Sequence, residues 1–142
     1  MISISQTLED YIEAIYILES ANDVARIKDL SAMLDVKPPT AISAVRRLED
    51  ENLLKHERYG YIRLTPRGKK LAEQIYQRHK TLLRFLVQVL GIPPDMALSQ
   101  ACGMEHSITG DTRDILEQLV DFLESDSELF ARWLEQRKSI KE

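Results

Sequence analysis

The feature that most constrains the fold is a short alternating stretch in the first half of the chain, residues 54–65. Apolar Ile62 and Leu64 alternate there with polar neighbours, and Gly60 precedes them. A period of two is typical of a half-buried strand, and a glycine between two such runs marks a tight turn. The stretch therefore predicts a β-hairpin with a glycine in its turn.

Three amphipathic segments precede this hairpin. Residues 7–20, 26–36 and 40–54 carry apolar side chains at helical spacing, and Thr7 is the predicted N-cap of the first helix. The "KPP" of residues 37–39 separates the last two helices, because the residue before a proline avoids the α region and proline is tolerated at a helix start. The order helix, helix, turn, helix, hairpin is that of a winged helix-turn-helix.

The second half of the chain has a helical pattern throughout. A long helix is predicted from Pro66 to about residue 90, where Gly91 ends it. A further helix is predicted over residues 95–107, and two amphipathic helices follow it, to about residue 138. We therefore predict a mainly α fold with a small two-stranded β wing.

Composition indicates a soluble protein of the cytoplasm. Hydrophobic residues make up 44% and charged residues 30% of the 142 residues, an ordinary globular balance. The lone Cys102 cannot form an internal disulfide, which fits a reducing compartment. The first residues lack the pattern of a signal peptide, and no apolar run approaches the ~18 residues of a membrane span. We expect a cytoplasmic protein without membrane association.

The charge distribution favours a nucleic-acid partner more than the net charge does. The net charge is −4, yet residues 37–70 hold nine basic side chains against four acidic ones. In a winged helix-turn-helix the third helix enters the major groove of double-stranded DNA, so the exposed start of that helix would contact bases. As an alternative to DNA binding, a winged helix-turn-helix can serve as a protein-binding module. The predicted base contacts are Pro39, Thr40 and Ser43; the predicted phosphate contacts are Lys28, Lys37, Arg46, Arg47, Arg58 and Arg63; and Thr7 completes the predicted DNA-binding set.

A second candidate site is the "CGMEH" of residues 102–106. On a helix, residues three and four apart share a face, so Cys102, Glu105 and His106 point the same way. Thiolate, carboxylate and imidazole are all ligands of divalent transition metals. In isolation these three residues also fit an ordinary buried cysteine with a surface acid and histidine, so only convergence with other ligands would make a site.

Four motifs together resemble one family. The chain is similar to the metal-dependent transcriptional repressor family of the diphtheria toxin repressor and the manganese transport regulator. The resemblance spans essentially the whole chain, and the motifs that carry it are "EDYIEAIY" (9–16), "KPPTAISAVRRL" (37–48), "LTPRGKKLA" (64–72) and "CGMEH" (102–106).

The resemblance implies the organisation and the chemistry. It implies a DNA-binding domain over residues 1–70 and a helical dimerisation and metal-binding domain over residues 71–142. It further implies a homodimeric repressor of metal homeostasis on operator DNA, with Mn²⁺ or Fe²⁺ as corepressor and no organic cofactor; Co²⁺, Ni²⁺ or Zn²⁺ could substitute in vitro. The implied ligands are Asp10, Glu13, His79, Cys102, Glu105 and His106.

The implied ligands mix two patterns within that family. Cys102 resembles the iron-type members, whereas Asp10 resembles the manganese-type members. Leu83 and Leu98 stand where iron-type members have the Glu and His of an ancillary site, so we expect that site to be missing and His79 to join the main cluster. The physiological metal and the number of ions stay open at this point.

Two other functions compete with a metal-dependent regulator. A winged-helix regulator could sense a small ligand, or oxidants through Cys102, since an exposed low-pKa thiol is readily oxidised. An enzyme is disfavoured, because Cys102 and His106 lack an evident oxyanion donor and none of the five glycines forms a phosphate-cradling loop. We therefore expect no catalytic residues.

Overall fold

The structure, a computed structural model, describes residues 4–58 and 60–137. The chain forms two compact units, Met1–Ile75 and Tyr76–Glu142. The division falls inside a long helix that begins in the first unit and ends in the second. Within the described residues, no helix has the length and apolar character needed to cross a membrane.

Three helices build the first unit: α1 (Gln6–Asn22), α2 (Ile27–Leu34) and α3 (Pro38–Asp50). The N-cap of α1 is Ser5, whose hydroxyl accepts from the backbone N–H of Leu8, so the prediction that Thr7 caps this helix was wrong. Pro38 stands in the first turn of α3, where its missing N–H costs nothing.

The wing is part of a small antiparallel sheet. Strands β1 (Ala25–Arg26), β2 (Leu54–His56) and β3 (Tyr61–Leu64) pair in the order β1-β3-β2. The predicted hairpin is confirmed, and Gly60 adopts a φ of +83°, which favours glycine. Tyr59 of its predicted turn lies outside the described residues. The sequence analysis predicted two strands and missed β1, whose two residues pair with β3.

The core of the first unit joins the three helices to this sheet. Its fully buried side chains come from every element of the unit, so helices and sheet share one apolar cluster. The largest of them are Ile12, Ile15, Leu30, Val45, Leu48, Leu53, Leu54, Ile62 and Ile75.

Gly68 marks the place where the long helix leaves this core. A Cβ atom at Gly68 would lie 1.8 Å from the carbonyl oxygen of Leu53, far inside van der Waals contact. Thr65 holds the same junction: its N–H donates to Leu53 O at 3.1 Å and its hydroxyl donates to Asn52 O at 2.7 Å. The backbone of the helix start therefore packs directly on the loop that precedes β2.

The second unit is helical. Helix α4 (Pro66–Arg84) passes into a π-helical turn (Phe85–Val89), and α5 (Pro94–Met104), α6 (Gly110–Ser125) and α7 (Ser127–Gln136) follow. Gly91, with a φ of +68°, ends the long helical run as predicted. Leu82 and Leu86 of the first helix pack with Ala97 and Ala101 of α5 to form the core of the unit.

A charged cluster fastens α4 to α6. The guanidinium of Arg84 contacts Glu117 at 2.6 Å and Asp121 at 3.0 Å, and it also pairs with Glu124. The hydrogen bond to Glu124 is the main cause that raises the pKa of Arg84 above its ordinary value. One cation of α4 thus pairs with three carboxylates of α6 and offsets part of their negative charge.

Candidate metal centre and DNA-binding surface

Three of the predicted metal ligands come together in the second unit. His79 lies on α4, Cys102 lies on α5, and Glu105 is the first residue after α5. A ligand atom from each of the three lies within 4.8 Å of the other two. Nδ1 of His79 and Oε2 of Glu105 are 2.6 Å apart.

Both oxygens of Glu105 face histidines. Oε2 contacts His79, and Oε1 lies 3.3 Å from Nε2 of His106. Glu105 is only 1% exposed, and a buried carboxylate is tolerated only where polar or charged groups surround it. Cys102, by contrast, is exposed. An imidazole, a thiol and a carboxylate at this spacing form a donor set that fits a divalent transition metal.

The local backbone differs from the prediction at this cluster. We expected a helix over residues 95–107, whereas α5 ends at Met104. Glu105 keeps right-handed helical angles (φ −59°, ψ −28°), and its N–H still donates to Ala101 O. Glu105 therefore keeps the helical side-chain direction, while His106 belongs to the turn that follows.

The two remaining predicted ligands, Asp10 and Glu13, lie on α1 in the first unit. Asp10 is half-buried and Glu13 is buried, with 9% of its surface exposed. They are three residues apart, so they share a side of the helix. Their role as ligands stays a prediction.

The predicted DNA contacts all reach solvent. Each of the ten side chains is exposed, as contact with phosphates or base edges requires, although exposure alone does not assign a contact. The ten are Thr7, Lys28, Lys37, Pro39, Thr40, Ser43, Arg46, Arg47, Arg58 and Arg63.

Five of these ten residues line one groove between α1 and α3. Thr7 contributes from the first turn of α1, and the other four contribute from α3; they are Pro39, Thr40, Ser43 and Arg47. The groove has a volume of about 410 Å³. Hydroxyl groups and a guanidinium are the groups that bind phosphate oxygens, so the groove suits a DNA backbone.

Comparison with known proteins identifies the family. A model of the iron dependent repressor N-terminal DNA binding domain matches residues 3–62, and a model of the iron dependent repressor metal binding and dimerisation domain matches residues 65–129. The HTH-type transcriptional regulator MntR of Bacillus pumilus (strain SAFR-032) is 33% identical over 122 residues, which cover 86% of this chain and 84% of the relative. The chain belongs to the iron-dependent repressor family.

Solved structures agree with this assignment. The IdeR structure of T. acidophilum is 26% identical with a TM-score of 0.70, and the match covers 83% of this chain and 55% of the other. A manganese-dependent transcriptional repressor solved with manganese is 27% identical with a TM-score of 0.74, covering 81% and 53% of the two chains. This chain thus spans about half the length of these solved proteins.

As a member of the iron-dependent repressor family, the chain is a metal-dependent, DNA-binding transcriptional regulator and not an enzyme. One exposed cation of its winged unit was missed by the sequence analysis. The guanidinium of Arg26, on β1, lies 5.0 Å from the ring centre of Tyr61 on β3. Arg63 of the same sheet pairs with Glu57 at 3.1 Å, so part of its charge is already neutralised. A two-residue strand is too short to show alternation, which is why Arg26 escaped notice.

Proposed function

We propose that this iron-dependent repressor homologue binds double-stranded operator DNA as a homodimer when Mn²⁺ or Fe²⁺ occupies the cluster around Glu105. The observation that carries the proposal is the grouping of His79, Cys102 and Glu105 within 4.8 Å. One solved relative is named a manganese-dependent transcriptional repressor, which favours Mn²⁺, whereas the thiol of Cys102 favours a softer ion such as Fe²⁺. Co²⁺, Ni²⁺ or Zn²⁺ would substitute in vitro.

The proposed ligands divide between the two units. Asp10 and Glu13 belong to the DNA-binding unit, and the other four, which are His79, Cys102, Glu105 and His106, belong to the helical unit. The ion, when bound, supplies a positive centre that attracts the carboxylates and the thiolate. If ligands from both units bound the same ion, they would restrict the motion of the DNA-binding unit and so of α3. Two recognition helices of a dimer must lie about 34 Å apart to read adjacent half-sites, and such restriction favours that spacing.

We place the dimer contact on the exposed apolar face of α6. Ile115, Leu119 and Phe122 repeat every three to four residues and are 66%, 45% and 59% exposed. The match to the metal binding and dimerisation domain spans residues 65–129 and so includes the whole of this helix. An exposed row of large apolar side chains is costly in water, and a second copy of the chain would bury it. The proposal requires neither a membrane nor an organic cofactor, and it sets the protein's work in the cytoplasm.

The test is Glu105→Gln, assayed for Mn²⁺ affinity and for metal-dependent retention of operator DNA. The amide lacks the negative charge and cannot accept hydrogen bonds with both of its terminal atoms, so we expect at least a tenfold loss of Mn²⁺ affinity and no metal response. Glu73→Gln, an exposed acid on α4, is the matched control. An unchanged metal response in Glu105→Gln would sink the proposal.

The exposure of Cys102 favours one rival, an oxidant sensor. The variant Cys102→Ser separates the two functions. A metal-dependent regulator loses Mn²⁺ affinity with serine, because the hydroxyl is a weaker ligand than a thiolate. An oxidant sensor keeps its metal-independent DNA binding with serine and loses its response to peroxide.

A further inference from the structure

The end of the long helix leaves two backbone carbonyls without their usual partners. In a continuing α-helix the carbonyl of residue i accepts from the N–H of residue i+4. For Val89 and Leu90 these residues are Pro93 and Pro94, which have no N–H. The two carbonyls therefore need donors from elsewhere, because an unpaired buried carbonyl is costly.

Helix α7 and its C-cap residue Arg137 supply the two donors. The indole Nε1–H of Trp133 donates to Val89 O at 2.6 Å, and Nη1 of Arg137 donates to Leu90 O at 3.4 Å. Gly91 makes room for this contact, since a Cβ atom there would lie 1.8 Å from Nη1 of Arg137. The side chains of α7 thus act as a cap, distant in sequence, on the end of the π-helical turn.

This capped end lies at the loop that joins the two arms of a helical hairpin. The π-helical turn (Phe85–Val89) leads through Gly91 into α5, and the two arms pack through Leu82, Leu86, Ala97 and Ala101. His79 is ten residues before Val89 on one arm, and Cys102 is eight residues after Pro94 on the other. The segment between Val89 and Pro94, which joins the two arms, therefore sets the register in which His79 lies beside Cys102 and Glu105.

Register matters because the cluster is small. A slip of one helical residue moves a side chain by about 1.5 Å along the axis and turns it by about 100°. The π-helical turn already adds one residue to the normal hydrogen-bond spacing, as Leu90 N–H donates to Phe85 O at 3.1 Å. The hydrogen bonds from Trp133 to Val89 O and from Arg137 to Leu90 O hold the last residue of this turn and its C-cap in place.

We propose that α7 clamps the α4–α5 hairpin, and that Trp133 and Arg137 are positioning residues for the metal cluster of His79, Cys102 and Glu105. This inference rests on the proposed function, because it assumes that the cluster binds a divalent metal. It assigns α7 to the metal response although α7 carries none of the proposed ligands.

The clamp makes metal binding and α7 docking mutually dependent. If the docked α7 raises metal affinity, bound metal must stabilise the docked α7 by the same factor. Trp133 is the only tryptophan in the chain, so its indole N–H gives a single signal that reports on the clamp. Zn²⁺ is the suitable probe, because it is diamagnetic and leaves that signal visible.

The first experiment compares Trp133→Phe with Leu134→Ala in the full chain. The phenylalanine keeps one aromatic ring and removes the donor together with part of the indole's bulk. Leu134→Ala is the control for lost packing, since Leu134 has nearly the same exposure as Trp133, 38% against 37%, on the same helix. We expect Mn²⁺ affinity to fall about tenfold in Trp133→Phe and less than twofold in Leu134→Ala, since residues that orient ligands typically account for 10–100-fold. Equal Mn²⁺ affinity in wild type and Trp133→Phe would overturn the clamp.

The second experiment measures hydrogen exchange of the Trp133 indole in the wild-type protein. We expect exchange to slow by about the factor that Trp133→Phe costs in Zn²⁺ affinity, and a rate unaffected by saturating Zn²⁺ would also overturn the clamp. Should Trp133→Phe fail to fold, Arg137→Gln replaces it, with an expected loss of about threefold. A wild-type protein that binds neither ion refutes the proposed function itself, which is a different outcome.

Discussion

At the scale of single residues, Glu105 shows how a buried acid is retained. Its two oxygens face two imidazoles, so its charge is never left without a polar neighbour. The same arrangement prepares the carboxylate as a ligand, because burial and the two histidines leave its side chain little freedom. A preorganised ligand loses less conformational entropy when an ion binds, which raises affinity.

Tyr11 is the opposite case, a buried polar group without a partner among the residues that the structure describes. Its hydroxyl makes no hydrogen bond there, and burial raises the pKa of the phenol. We expect Tyr11→Phe to increase the free energy of unfolding of the metal-free protein by about 1 kcal/mol, because an unsatisfied buried hydroxyl is removed. Urea unfolding measures the change. Tyr16→Phe, on the same helix, is the control and should not stabilise; a Tyr11→Phe protein that is less stable than wild type would show that the hydroxyl has a partner in solution.

At the scale of elements, two nearby residues at the start of α1 have different roles, one in the stability of the helix and one in DNA binding. Ser5 caps the helix, whereas exposed Thr7 lines the groove beside α3. We expect Ser5→Ala to lower the free energy of unfolding by about 1 kcal/mol, the usual cost of a lost N-cap, with little direct effect on DNA affinity. Thr7→Ala should do the reverse, weakening operator binding about threefold at unchanged stability. Thermal unfolding and DNA titration of both variants test these two expectations. Equal changes in stability and in DNA affinity from the two substitutions would contradict them.

Elements with a strong local signal could be predicted from the sequence. The alternation around Ile62 predicted the hairpin, and the prolines at 38 and 39 placed the start of α3 within two residues. The predicted end of α3 at residue 54 was wrong, because the helix ends at Asp50 and Leu54 begins β2. The N-cap of α1 could not be chosen reliably, because Ser5 and Thr7 are both good caps two residues apart. Strand β1 exists only through its pairing with β3, and a two-residue strand has no pattern of its own.

The metal cluster was predictable only in part, for a related reason. Spacing alone grouped Cys102 with Glu105, but it could not bring His79 to them, since 26 residues separate His79 from Glu105. The family resemblance supplied that link, and in the second unit a ligand atom from each of the three residues lies within 4.8 Å of the other two. Their role as metal ligands stays a prediction. The contact of Trp133 with Val89 had no signal at all, because it joins residues 44 positions apart through one side chain.

At the scale of the whole molecule, the chain combines a basic recognition segment with an acidic second half. Residues 37–70 carry a net charge of +5, although the protein as a whole carries −4. Operator binding should therefore weaken steeply with salt through the local basic segment, because phosphate contacts release counterions. The negative charge of the rest of the chain repels DNA phosphates and so weakens binding to DNA of any sequence. It therefore favours discrimination between operator and other DNA over high affinity.

The proposed dimer makes a prediction at this scale. Leu119→Glu with Phe122→Glu should convert the protein to a monomer, because two charges replace apolar surface that a second copy would bury. Analytical ultracentrifugation measures the mass, and operator affinity should fall at least tenfold when two linked half-site contacts become one. Met33→Glu, on α2, replaces a side chain of equal exposure (45%) outside the dimerisation region and is the control. A double variant that still sediments as a dimer would place the contact on another surface.

The junction at Gly68 affects how any mutational survey of this protein should be interpreted. Every side chain larger than hydrogen would collide with the Leu53 carbonyl, so a screen for lost repression will score position 68 as severely as a true ligand. Such a screen cannot distinguish residues that bind the metal or DNA from residues that are needed only for close packing of the backbone. Only an assay of soluble, folded protein level, run beside the repression screen, would tell these two classes of sensitive position apart.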